Sequence, residues 1–370
     1  MSVLRRLYLY SALQNFANSL YSPFVGFVAA STGVPPLLLG VVSSAGTVFN
    51  NISAFLVSFR RWRPLKLILF ANAASAVALV LMAAFAEVHA AYTAMYAVVT
   101  ASLGISGYGW SLIMEQYSRE RRGISLAEFS FYSTLGGLVA TLITGFLIRD
   151  DPLAIRLALY AAAALTAANT AQLYKLGIDY SEGPRAPRGG VGRRLLKFYA
   201  ENFVFMATWS FAWPLFPLAQ VYVFHMTGLQ VAIVQIITVA SNLAFQRAMG
   251  RFVDRHMRLS LFLGRATFMI WPLVYGVATN VYQIYAAYLF FGFGGSISNI
   301  AYFAYVVDNA EDKRRAIGYF NLVNALGAAA GAELSSAVLA YMGNYNEELI
   351  RRMLVGTAFA RLGSSLLFLL

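Results

Sequence analysis

The sequence has 370 residues, of which 59% are hydrophobic and 12% charged, with a mean hydropathy of +0.62 and a net charge of +12. Soluble domains carry about a quarter charged residues, so this composition excludes an ordinary soluble globule and points to lipid as the surrounding medium. Cysteine is absent, which excludes disulfides and thiolate metal sites, and the positive charge lies in short gaps between apolar runs, a layout suited to loops beside anionic lipid rather than to nucleic acid.

Twelve apolar runs are long enough to span a bilayer as helices: about 7–29, 36–58, 65–86, 90–114, 126–148, 153–176, 198–224, 228–249, 259–279, 281–309, 316–342 and 347–370. Stretches such as "ASAVALVLMAAFA" do not alternate in polarity, which excludes the strands of a closed barrel. The first run is too long and too polar for a cleaved leader. Within it Ser11, Asn15, Asn18 and Ser22 recur at spacings of four, three and four, on one helical face. The second run holds Asn50 and Asn51. After the fourth, Glu115 precedes Arg122 by seven residues. The fifth opens with a capping-box pattern, Ser125 to Glu128, and contains "GGLVATLITG". Residues 177–197, "GIDYSEGPRAPRGGVGRRLLK", are the only long polar stretch. Their Gly, Pro and Arg content reads as a linker, dividing a bundle at 1–176 from one at 198–370. Trp209 and Trp213 lie in the seventh run. In the eighth, Gln235, Thr238, Asn242 and Gln246 share a face. "GRFVDRHMR" follows at 250–258. Asn299 lies in the tenth run, Asp308 precedes Arg315 by seven, and Glu333 lies within the eleventh.

Lys and Arg collect on the cytoplasmic side of membrane proteins. With the N-terminus inside, the inner segments hold Arg5 and Arg6, the 60–66 cluster, the 119–122 cluster, the linker cluster, the 247–258 cluster and Lys313 to Arg315, together 22 of 28 basic residues. Arg149, Arg156, Arg351 and Arg352 fall outside, and Arg265 and Arg361 within runs. Both termini are therefore expected in the cytoplasm, and the short loops suit the cell membrane of a prokaryote.

The halves echo each other. "QNF" at 14–16 matches "ENF" at 201–203, and Arg60 and Arg63 parallel Arg255 and Arg258. The small-residue stretch of the fifth run parallels "GAAAGAELSS" in the eleventh. In the same order and at similar offsets, these matches argue for duplication. Twelve helices in two six-helix halves with a basic linker resemble the major facilitator superfamily, which has repeated halves. Gly250, Asp254, Arg255 and Arg258 fit that family's pattern of Gly, three residues, Asp-Arg, two residues, Arg. The pairs Glu115 with Arg122 and Asp308 with Arg315 also resemble it. In the first half, Phe55 and Phe59 stand where Gly250 and Asp254 stand in the second.

The resemblance implies an all-α membrane protein of two pseudo-symmetric six-helix bundles, with peripheral ninth and twelfth helices and alternating access. It implies a cytoplasmic latch in which Asp254 sits by the N-terminus of the fifth helix, with Arg255, Arg258 and Arg315 completing the network. These charges could instead serve only to set topology. The resemblance also implies a cavity, for which Asn15, Asn18, Ser22, Trp209, Gln235, Thr238, Asn242 and Asn299 are the substrate-binding candidates; the alternative is bonding between neighbouring helices. Amides, hydroxyls and aromatic rings without a basic residue favour a small neutral or amphipathic organic solute, a cation remaining open. An acid within a span is a candidate for function, so Glu333 is the candidate for proton coupling, with a structural pair to Arg352 as the alternative. Gly136, Ala140, Thr141, Thr144 and Gly145 follow an antiporter-like pattern without its proline, favouring efflux antiport over symport or uniport, though such residues also serve close packing. Lipid, the solute and protons are the expected partners. No cofactor or metal is expected, and neither enzymatic chemistry nor ATP use has a motif. A transporter-like sensor without flux is the alternative of another class.

Overall fold

The apolar runs fold as helices whose ends are set by local chemistry. The structure, a computed structural model, describes residues 3–59, 62–117, 122–175, 192–343 and 346–369, with backbone alone at 3, 4, 115, 122–130 and 314. Among these residues there is no strand. In chain order the helices are α1 (Val3–Ser19), α2 (Val25–Ser31), α3 (Pro36–Ser58), α4 (Pro64–Ala84), α5 (His89–Tyr117), α6 (Arg122–Leu147) and α7 (Ile155–Lys175). Then come α8 (Arg193–Ser210), which begins inside the stretch read as the linker, α9 (Leu215–Leu218), α10 (Gly228–Arg255), α11 (Met257–Ala266), α12 (Ile270–Val277), α13 (Val281–Tyr288), α14 (Phe291–Asp308), α15 (Lys313–Met342) and α16 (Glu347–Ser365). Pro64 opens α4, where its missing N–H costs nothing. Thr227 and Gln230 exchange side-chain bonds at the start of α10. Asp312 caps α15 by accepting from the Arg315 amide at 3.2 Å, and Gly343 ends it in the left-handed region at φ 70°.

Nine of the described helical segments are long and apolar enough to cross a membrane, and ten if the bent pair α13–α14 is one span. The first and fifth expected runs are helical but fall short of that test, the first because it is split into α1 and α2 and the fifth because its described apolar part is Phe131–Leu147. Four runs expected to be continuous are interrupted. Pro23 follows the α1 break, Pro214 and Pro217 mark the one after α8, and Pro272 follows the 3-10 turn Thr267–Met269 between α11 and α12; proline removes a helical donor in each. The 40° bend between α13 and α14 has another cause. The Ser241 hydroxyl of α10 donates to Leu289 O at 2.6 Å and accepts from the Gly292 amide at 2.8 Å, inserting itself into the helical ladder.

Contacts divide the chain into two compact units, Met1–Thr32 with Phe49–Pro184 and Thr227–Ala232, and Gly33–Val48 with Arg185–Met226 and Ile233–Leu370. The packing within the units repeats. In the first, α4 lies against α5 and α7, and α1 against α6 and α7; in the second, α11 lies against α14, α12 against α16, and α8 against α15 and α16. Helix by helix these are the same pairs, which makes the fold two pseudo-symmetric bundles. Close approach rests on glycine at two matched places. A Cβ at Gly136 of α6 would stand 2.9 Å from Ala12 O of α1, and one at Gly327 of α15 would stand 2.9 Å from Phe203 O of α8.

Candidate functional site

The first unit holds a cavity of about 180 Å³. From α1 it takes Tyr10, Ser11, Gln14, Asn15 and Asn18, the polar face that helical spacing groups together. From α5 come Leu103, Ser106, Gly107 and Trp110, and from α6 Ser133. A Cβ at Gly107 would meet nothing within 4 Å, so that glycine keeps the wall open. The Tyr10 and Trp110 rings lie 4.9 Å apart. Every lining residue is uncharged.

These polar groups are held in place. The Asn15 amide donates to Ser133 O at 2.6 Å. Behind the wall Asn72 of α4, 1% exposed, donates to the Tyr10 hydroxyl at 2.9 Å and to Thr170 Oγ1 at 3.0 Å, while accepting from Ser106 Oγ at 2.9 Å. Asn169 of α7 donates to Tyr10 O at 2.9 Å and to Gln14 Oε1 at 3.3 Å. Low dielectric strengthens such bonds and penalises any left unmade, so Tyr10, Gln14, Asn15 and Ser106 are fixed by bonds to neighbouring helices. The sequence reading missed Tyr10, Gln14, Ser106, Trp110 and Ser133 as lining residues, and the lone amides of "FANAASA" and "TAANTAQ" are the signal that would have found the shell behind them.

Of the candidates named from sequence, Asn15 and Asn18 meet in this cavity. Ser22 does not line it, being exposed beyond the end of α1. In the second unit the candidates are scattered. Trp209 packs its ring 4.8 Å from Phe268 in an aromatic core. Gln235 is half-buried, and Thr238 bonds its own helix at Val234 O. Asn242 lies against α14, where its carbonyl accepts from Ser296 Oγ at 3.4 Å, and Asn299 is exposed. None of these lines the apolar cavity of about 460 Å³ among α8, α15 and α16.

Asp254, Arg255 and Arg258 are all exposed around the short gap between α10 and α11, and no ion pair joins them among the described residues. Gly250 is not required by packing, since a Cβ there would make only ordinary contact with Ile300 at 3.8 Å. Asp308 is exposed at the end of α14, and Arg315 lies in the first turn of α15. The side chains of Glu115 and Arg122 lie outside the described residues, as do Arg60 and Arg61. Glu333 is half-buried on α15 beside the fully buried Ser335 and Ser336. The alternative partner Arg352 instead pairs with Glu348 on its own helix.

Two residues depart from expectation. Arg265 and Arg361 lie on spans that the resemblance makes peripheral, and both are sealed inside the second unit, at 5% and 1% exposure. Arg265 donates to Asn202 Oδ1 at 2.8 Å and lies 3.8 Å from the Tyr302 ring centroid and 4.6 Å from that of Phe205. Arg361 donates to two backbone carbonyls. A charged side chain in a span turns from lipid towards the bundle, whichever helix carries it. Among the described residues no three His, Cys, Asp or Glu side chains cluster as a metal site would need.

The Major Facilitator Superfamily model matches residues 7–332 and 198–367. No functionally curated protein matches the chain. Among solved structures, the nucleoside transporter NupG aligns over 100% of this chain and 98% of its own, at 15% identity and a TM-score of 0.75. The POT family transporter PepTSo aligns over 99% and 96%, at 12% identity and 0.79. A bacterial homolog of the human lysosomal transporter Spinster, inward-facing and unoccupied, aligns over 99% and 95%, at 11% identity and 0.70. At these identities the likeness is one of fold.

Proposed function

Since the chain belongs to the Major Facilitator Superfamily, we propose that this multi-pass membrane protein is a secondary transporter of a small neutral organic solute, which docks in the cavity between α1, α5 and α6. One observation carries the reading: the cavity gathers three amides, four hydroxyls and two aromatic rings with no charge among them. Preorganised amides and hydroxyls can bond a solute's hydroxyl or amide groups, and the Tyr10 and Trp110 rings offer a face to a planar or apolar one. A phosphate or dicarboxylate would find no cation there. Nucleosides combine a ring with hydroxyls, and the fold's likeness to a nucleoside transporter makes them the first solutes to test.

In this reading alternating access carries the solute across the cell membrane, both termini being cytoplasmic. The Asp254, Arg255, Arg258 and Arg315 cluster biases the cycle at its cytoplasmic side, and Glu333 takes up and releases the coupling proton. Direction gains no support from the small residues of α6: Gly136 and Gly137 are used in packing on α1, where a Cβ at Gly136 would stand 2.9 Å from Ala12 O.

Proteoliposomes loaded with one labelled solute and assayed for exchange against a panel of nucleosides and other neutral solutes test the reading. Exchange of a neutral solute, lost in Gln14→Ala, is the expected result. Ligand stabilisation without flux of any solute would favour the sensor instead. With a pH gradient, Glu333→Gln should abolish accumulation and retain exchange.

A further inference from the structure

Two backbone carbonyls of the second unit have lost their helical donors to proline. In an α-helix Phe268 O accepts from residue 272, which here is Pro272 and has no N–H. On α8 the loss is indirect. Pro214 cannot donate to Ser210 O, so the Trp213 amide takes that oxygen at 2.9 Å, and Trp209 O loses its usual donor. In a bilayer no water answers an orphaned carbonyl.

Arg361 of α16 answers both. Its Nη1 donates to Phe268 O at 2.7 Å, and its Nη2 donates to Trp209 O. Its guanidinium also lies 5.8 Å from the centroid of Phe216, on the far side of the α8 break. Among the described residues no carboxylate pairs with it. The planar fork of arginine can serve two acceptors on different helices, whereas lysine offers a single point charge. The first unit supplies a control. Asn169 lies fourteen residues into α7 (155 to 169) as Arg361 lies fourteen into α16 (347 to 361). Asn169 likewise donates to a carbonyl of its unit's first span, Tyr10 O, but within an unbroken turn. The charged, two-armed residue stands where two breaks must be joined.

We propose that Arg361 is a positioning residue that ties the proline-made breaks after α8 and after α11 into one hinge, so that the Trp209 and Phe268 segments move together with α16. The 4.8 Å contact of the Trp209 and Phe268 rings continues the same junction. The proposal is independent of which solute is carried.

Hydrogen–deuterium exchange on the full chain purified in detergent tests it. Arg361→Met should speed exchange about tenfold in both 205–218 and 264–276 while sparing α4 and α5. Pro272→Ala returns to α12 the donor that Phe268 O lacks. In the double variant, therefore, protection of 264–276 should return to within about threefold of the parent while 205–218 stays fast. Acceleration confined to α16, equal acceleration everywhere, or no selective rescue by Pro272→Ala would overturn the proposal. Where Arg361→Met does not fold, Arg361→Lys should lose protection in one of the two segments, and retention in both would overturn it.

Discussion

In the first unit Asn15 borders an open cavity and donates to Ser133 O on α6; in the second its duplicate, Asn202, is 0% exposed, donates to Asn324 on α15 at 2.7 Å and accepts from Arg265. Both asparagines bridge the same pair of helices in their bundles, so the duplication survives in the packing. What has diverged is the neighbourhood. Around Asn15 stand amides and hydroxyls, with Asn72 eight residues into α4 (64 to 72). Beside Asn202 lies Arg265, eight residues into α11 (257 to 265), over the rings of Phe205, Trp209 and Tyr302. A neutral network leaves room for a solute to exchange bonds with the wall. An arginine sealed among rings leaves none, and it fixes the bundle instead. The proposed division into a binding half and a mechanical half starts from this difference between duplicated positions.

The duplicated asparagines offer the sharpest test of that contrast. Asn202→Ala removes an acceptor from a buried charge and should cost about 3 kcal/mol, read as a fall of roughly 5 °C or more in the unfolding midpoint in detergent. Asn15→Ala, at the open cavity, should cost about 1 kcal/mol or less and act mainly on solute affinity. Equal losses of stability would erase the distinction.

Asn72→Leu should fall between them, at about 1–3 kcal/mol, since it strands the partners Tyr10, Ser106 and Thr170. Tyr10→Phe, measured the same way, should cost about 1 kcal/mol, because it removes one member of the same network. A smaller effect again is expected at the turn between α10 and α11. Asp254→Asn should accelerate labelling of a cysteine introduced near the C-terminal end of α10, a clean measurement in a chain without cysteine. Unchanged labelling would leave Asp254 a topological charge.

The helices were legible because apolar runs of about twenty residues have few other fates. The breaks were partly legible: Pro23, Pro214, Pro217 and Pro272 stand inside runs read as continuous, and each removes a donor. The bend at Leu289 was not legible, because its cause, Ser241, lies on another helix. The α1 side of the cavity followed from 3.6-residue spacing, whereas Ser106, Trp110 and Ser133 enter only through packing. The burial of Arg265 and Arg361 was not legible from the runs that hold them, which the resemblance makes peripheral. A peripheral helix still has an inward face, and a charge in a span takes it.

The claim that the neutral cavity of the first unit binds the solute is tested most directly by filling it. Gly107→Trp projects a large side chain into space where a Cβ meets nothing within 4 Å, while Gly264→Ala, packed against α14 in the second unit, serves as the control for general damage. Solute affinity is read as ligand-induced thermal stabilisation, with the solute taken from the neutral panel. The account predicts that Gly107→Trp abolishes the stabilisation and leaves the unliganded midpoint within a few degrees, while Gly264→Ala lowers the midpoint and keeps the response. Undiminished stabilisation of Gly107→Trp by the same solute would contradict it.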